Sequence, residues 1–249
     1  VPSTPIYTDY RAEQYQSGST QATPDHSDDF SIDNFTHYGS TTSVNGNKFN
    51  YGSPANQVTD GGYDQMPITL SDTWTLRTVW DITGWASPSG DSYQFMVALT
   101  DTPDLADDYT ESGDMIGFGG RVGSGTNGYR VFASNDGGNF WDNIDTMSRS
   151  PTTEKLYVEL KRTSPTTVTM EIFDDANFSN SLETASVSTQ SGVDGLDHVV
   201  IANTMGNGSG GSMTGTLENL KIYDGVTDAS DTPTYSYRNF GDLGYAEDT

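Results

Sequence analysis

An all-β, antiparallel two-sheet jelly-roll sandwich with extended N- and C-terminal tails is the fold class this sequence predicts, on three observations. Apolar residues alternate with polar ones over many short stretches, Gly/Asn/Asp/Ser turns separate those stretches, and no helical stripe runs longer than two turns. Residues 1–27 hold three prolines among Ser, Thr and Gln without any sustained period, and are expected to form an extended arm. Alternation starts near Asp28. Its clearest run is residues 73–83, where Trp74, Leu76, Trp80 and Ile82 share one face and Thr75, Arg77 and Asp81 the other, the pattern of a half-buried strand. Tyr93, Phe95, Val97 and Leu99 repeat it. Leu156, Val158 and Leu160, the Ser164-Pro165 turn, then Val168, Met170 and Ile172 make residues 155–173 a β-hairpin. Further strands are expected at 48–51, 115–122, 129–134, 182–188, 198–202 and 216–223. One sandwich over 28–225 accounts for all of them, leaving 226–249 as a polar, Tyr-rich C-terminal tail.

Composition narrows the function classes. The 249 residues contain 35 Asp and Glu against 11 Lys and Arg, a formal charge of -24, which repels phosphate and argues against nucleic acid and anionic membrane as partners. The carboxylates are 27 Asp to 8 Glu, a bias toward turns and strand edges over helices. With no cysteine, disulfide scaffolds, thiol catalysis and zinc ribbons fall away together. No run approaches the ~18 apolar residues of a membrane helix, so membrane insertion is not expected. Val1 stands where an initiator Met would be, which suggests processing. The expected setting is extracellular or at a cell or virion surface.

Four segments carry a resemblance. Asp28-Asp29-Phe30-Ser31, residues 70–77 (Leu-Ser-Asp-Thr-Trp-Thr-Leu-Arg), residues 156–163 (Leu-Tyr-Val-Glu-Leu-Lys-Arg-Thr) and residues 215–225 (Gly-Thr-Leu-Glu-Asn-Leu-Lys-Ile-Tyr-Asp-Gly) occur in an order that resembles the concanavalin A-like lectin/glucanase superfamily, and within it the laminin-G-like modules of exported proteins. The resemblance implies a two-sheet jelly roll whose first and last strands lie side by side, with ligands met on a concave sheet or at the loop rim. It does not imply catalysis, because that superfamily holds enzymes, lectins and inert modules alike.

The residues themselves weigh against an enzyme. The glucanase branch places two carboxylates on one strand face through a Glu-x-Asp-x-x-Glu strand, and this chain has none. Glu159 and Glu171 fall on the polar faces of the predicted hairpin and read as a solvated pair near Lys161. His26, His37 and His198 are scattered without ligand spacing, and no catalytic residue is assigned.

A structural Ca2+ is the better-supported chemistry, since Ca2+ takes six to eight hard oxygens from Asp/Asn/Gly-rich turns. The resemblance places it where the acidic turn before the first strand meets the last strand, which here means Asp28 and Asp29 facing Glu218 and Asn219. Glu218 stands among the apolar Leu217, Leu220 and Ile222, where a charge needs a partner. The other reading is a rim carboxylate at a strand bulge. Residues 135–139 also have calcium-loop composition but lack the spacing and closing Glu of an EF-hand loop.

Sugar recognition in lectin-like proteins uses an aromatic plate beside a few Asp, Asn and Gly groups, because a pyranose has an apolar face and a rim of hydroxyls. Trp85, Tyr109 and Trp141 break strand alternation among polar neighbours, and Asn135, Asp136 and Asn139 supply polar groups next to Trp141. Each ring either meets a ligand or packs on the sandwich edge. The function expected is a non-catalytic, Ca-stabilised module that binds a glycan or polysaccharide or mediates adhesion. The alternatives are a structural subunit of an extracellular filament, shell or virion, held to identical subunits through its tails, and a carbohydrate-active enzyme.

Overall fold

The computed structural model describes residues 22–52, 59–86, 93–103, 113–122, 127–135, 143–189, 192–205 and 212–227. These contain no helix and fifteen strands: β1 (His26–Asp28), β2 (Thr36–Tyr38), β3 (Thr42–Asn45), β4 (Lys48–Tyr51), β5 (Thr59–Gln65), β6 (Trp74–Ala86), β7 (Tyr93–Thr100), β8 (Met115–Val122), β9 (Gly128–Ser134), β10 (Ile144–Thr146), β11 (Glu154–Ser164), β12 (Thr167–Phe173), β13 (Ser181–Ser188), β14 (His198–Met205) and β15 (Ser212–Asp224). One sheet has eight strands in the order β13-β12-β11-β6-β15-β4-β3, with β1 also on β15, and the other has seven in the order β10-β9-β8-β7-β14-β5-β2. The first strand lies beside the last, Asp28 opposite Leu220, as the resemblance implied. Among the described residues no helix is long and apolar enough to cross a membrane.

The inward sets named by alternation build the core. Trp74, Leu76, Trp80 and Ile82 are fully buried, and Phe95, Val97 and Leu99 face them from the other sheet. Trp80 ties the two layers together. Its ring lies 5.1 Å from Phe95, 6.0 Å from Phe118 and 5.4 Å from Tyr129, all on the seven-stranded sheet, and its Nε1–H donates to the Tyr51 hydroxyl at 2.8 Å.

Two sequence expectations change here. β5 is absent from the expected strands, since it carries the turn-favouring run Thr-Asp-Gly-Gly, yet it is an interior strand between β14 and β2. Glycine is required at Gly61, where a Cβ would come within 2.4 Å of the Ile201 carbonyl oxygen. Trp85 is not a loop residue. It lies at the end of β6, opposite Met213, partly buried against the main core. The pairing of β6 with β15 shifts register between Thr214 and Gly215, skipping Thr83, and a one-residue slip exchanges the two faces of a strand. The bulge therefore turns Trp85 inward and explains its broken alternation.

The outer face of the eight-stranded sheet is a lattice of charges. The chain's four lysines, Lys48, Lys155, Lys161 and Lys221, project from it together with Arg77 by strand alternation. Glu159 is not solvated. It is 2% exposed and receives Arg77 at 2.5 Å and Lys161 at 2.5 Å. The cover is Phe178, held at φ 54°, whose ring packs on Phe173 and Tyr157 and lies 4.3 Å from the Arg77 guanidinium carbon. One side of the sandwich is closed by carboxylates. Asp145 accepts the Ser186 N–H at 3.0 Å, and Glu183 accepts the backbone N–H groups of Ser148 and Arg149, joining edge strand β13 to the β10 segment.

Candidate functional site

Across the seven-stranded sheet, alternation sends Phe95, Val97, Ile116, Phe118, Val131 and Ile201 inward. The opposite set, Met96, Ala98, Met115, Phe132, Val200 and Ala202, makes a second apolar cluster on the outer face, with Tyr63 and Ile144 packed against it. Register aligns these residues in rows. One row runs Thr146, Arg130, Gly119, Met96, Ala202, Gly61, Tyr38, and the next Ile144, Phe132, Gly117, Ala98, Val200, Tyr63, Thr36. Apart from Met96 and Val200, the middle strands carry glycine and alanine in these rows, and aromatic and arginine side chains stand at the two flanks. On one flank Tyr38, Tyr63 and His198 are half-buried, with the Tyr63 ring 6.1 Å from His198. The other flank carries Arg121, also half-buried, and Arg130, which burial and the neighbouring Arg121 together push down to about 10. Such a face, partly apolar with hydroxyls, amides and guanidiniums at its border, suits a sugar, whose ring is apolar on one side and polar at its rim.

The residues singled out from sequence distribute differently. Asn135 is half-buried directly after β9, close to this face's arginine flank in sequence. Tyr109, Asp136, Asn139 and Trp141 lie outside the described residues. Trp85 stands at the end of β6, in the other sheet. Sequence reasoning did not name Arg121, Arg130 or Tyr63, and it considered His198 only as a metal ligand.

The calcium set is not drawn together. Asp29 is exposed and accepts the Ser31 N–H at 2.9 Å, and Asn219 occupies the bulge of β15 with φ 52°. Glu218 faces two ammonium groups, Lys48 at 2.6 Å and Lys155 at 3.4 Å, which hold its carboxyl below the usual range although burial works the other way. Asp28 is 7% exposed. Its Oδ1 accepts the Phe30 N–H, and its Oδ2 is buried without a hydrogen-bond partner. Burial pushes the Asp28 carboxyl up against the effect of that hydrogen bond, and its charged neighbours are Asp64, His26 and Asp29, with Glu218 not among them. Among the described residues no three His, Asp or Glu are placed to hold a metal ion. The oxygens of Asp28 and Glu218 therefore do not fit one Ca2+, because the Glu218 charge is already neutralised by lysines.

That placement makes a testable prediction. A carboxyl whose folded value is raised contributes stability that is complete below the unfolded value, about 3.9, and is lost as pH rises through the folded value. Asn mimics the protonated acid and keeps the acceptor for Phe30. Asp28→Asn and wild type should melt together near pH 4, and the variant should melt higher at neutral pH. A variant melting lower at neutral pH would show that something neutralises the Asp28 charge.

No protein-family model matches the chain, and no curated protein does. Solved structures match well in shape. The VIP36 exoplasmic/lumenal domain, in its Ca2+/Man3GlcNAc-bound form, superposes with a TM-score of 0.57 at 10% identity over 85% of this chain and 93% of that one. The Emp47p carbohydrate recognition domain gives 0.53 at 12% identity, covering 84% and 100%. An endo-beta-1,4-glucuronan lyase from the fungus Trichoderma reesei gives 0.52 at 12% identity, covering 84% and 98%. The chain has the concanavalin A-like lectin fold. The laminin-G-like subdivision is not singled out by these likenesses, which identify the concanavalin A-like sandwich itself through its two antiparallel sheets and adjacent first and last strands.

Proposed function

We propose that this concanavalin A-like domain is a non-catalytic glycan-binding module acting in an extracellular or lumenal setting, with the outer face of its seven-stranded sheet as the binding surface. The observation that supports the reading most is the row structure of that face, where small residues are flanked by half-buried Tyr38 and Tyr63 on one side and arginines on the other. The similar VIP36 exoplasmic/lumenal domain was solved with Man3GlcNAc bound, and the similar Emp47p domain is a carbohydrate recognition domain. The glucuronan lyase supports a polysaccharide as partner and keeps a lyase as the competing reading.

A glycan array probed with the full chain should show binding to a restricted set of saccharides. Tyr63→Ala should weaken that binding about 10-fold or more, because rings at binding surfaces carry a disproportionate share of affinity. Its melting temperature should change little, since Tyr63 is only partly buried. An array without any bound saccharide would refute the proposal, and release of unsaturated oligosaccharides from a bound polyuronate would replace it with the lyase reading.

A further inference from the structure

Positive charge on the outer face of the seven-stranded sheet is gathered at one place. Arg121 of β8 stands opposite Gly128, and Arg130 of β9 stands opposite Gly119. Both side chains leave the sheet on the side of Met115 and Phe132, away from Phe118, Val122 and Val131, which are in the main core. Diagonal positions on antiparallel neighbours lie roughly 7–8 Å apart, within reach of two long side chains. On the β8–β9 ladder each arginine faces a glycine, while on their other sides Arg130 stands opposite Thr146 of β10 and Arg121 opposite Gln94 of β7. Gly119 has no alternative, because a Cβ there would sit 2.0 Å from the Phe95 carbonyl oxygen.

The two guanidiniums differ in depth. Arg130 is 7% exposed, whereas Arg121 is only half-buried. An anion that docks on Arg121 therefore also feels Arg130 behind it, whatever other groups share the pair. A guanidinium presents its donors as a planar fork that matches a carboxylate through two parallel hydrogen bonds. The chain's charge of -24 does not oppose this locally, because the Debye length is about 8 Å at physiological salt and more distant carboxylates are screened. The four lysines and Arg77 belong to the opposite sheet and do not reach this face.

We propose that Arg121 and Arg130 form a subsite for the carboxylate of a uronic acid residue within a glycan held on the outer face of the seven-stranded sheet. The inference rests on the glycan-binding reading and adds to it the chemical class of sugar. Arg121 makes the contact at the accessible surface, and Arg130 beneath it strengthens the field and fixes its place.

The test compares a linear oligoglucuronate with the neutral oligosaccharide made from it by reducing every carboxyl to a hydroxymethyl group, each titrated into the full chain by calorimetry. The oligoglucuronate should bind at least ~10-fold more tightly than its reduced counterpart, and its affinity should fall as salt is raised. Arg121→Gln should abolish that preference, so that the two saccharides bind the variant alike, and Arg121→Lys should restore part of it. Because Arg121 is only half-buried its variants should fold, so the outcome does not hang on Arg130→Gln. Equal binding of the two saccharides by the wild type, or a full preference surviving in Arg121→Gln, would overturn the uronate subsite and leave glycan binding standing. Binding of neither saccharide, together with an empty glycan array, would take down both.

Discussion

Replacing Glu159 with alanine should destabilise the protein by about 3–5 kcal/mol, the usual cost of removing one partner from a buried ion pair. Glu159 is 2% exposed and holds Arg77 and Lys161, and Arg77 is itself 6% exposed beneath the Phe178 ring. Without the carboxylate, the Arg77 guanidinium is left desolvated between β15 and β11. Because a domain of this size shifts by about 2–4 °C per kcal/mol, the melting temperature should fall by roughly 10 °C. Joint replacement by apolar side chains, Arg77→Met with Glu159→Leu, should recover much of the loss, since the cost lies in the unpaired charge more than in the missing bond. A double variant no more stable than Glu159→Ala would mean that packing under Phe178, and not charge, dominates.

Trp80→Ala should be about as severe, in the range of about 3–5 kcal/mol for emptying a large aromatic position in a packed core. The residue is fully buried where the sheets meet, among Phe95, Phe118 and Tyr129. It also satisfies the Tyr51 hydroxyl, so truncation strands a buried polar group worth about 1–3 kcal/mol. Trp80→Phe separates the two effects, because it keeps most of the apolar volume and loses the donor. In denaturant titration, adding Tyr51→Phe to Trp80→Phe should cost much less than Tyr51→Phe costs alone. Additive losses would show that the hydrogen bond carries no coupling.

Alternation made the fold legible because a sheet with one buried face writes its pattern into every second residue. Residues 73–83, 115–122 and 155–173 were readable for that reason and form β6, β8 and the β11–β12 hairpin. The strands that escaped are short or glycine-bearing: β1, β2, β3 and β10 have three or four residues, and β5 contains the Gly61-Gly62 pair. Alternation assigned Glu159 to the correct face but could not reveal what covers it, because Phe178 arrives from the loop after β12. Trp85 was misplaced by a bulge that only the pairing of β6 with β15 discloses. The arginine pair did leave a signal. Gly119-Gly120-Arg121-Val122 and Gly128-Tyr129-Arg130-Val131 both put Arg on the side opposite apolar residues, but joining them required the register of β8 against β9.

The position of β15 has a consequence for how the chain is made. The strand nearest the C-terminal end of the described chain is not an edge but an interior strand of the eight-stranded sheet, flanked by β6 and β4 and pairing Leu217 with both Trp80 and Phe49. A nascent chain leaving the ribosome cannot complete this sheet until residue 224 has emerged, and until then β6 and β4 expose the backbone groups that β15 will take. Contacts spanning well over a hundred residues also make folding intrinsically slow. The eight-stranded sheet can therefore close only once β15 is available, and the apolar inner faces must be shielded from neighbouring chains in the interval.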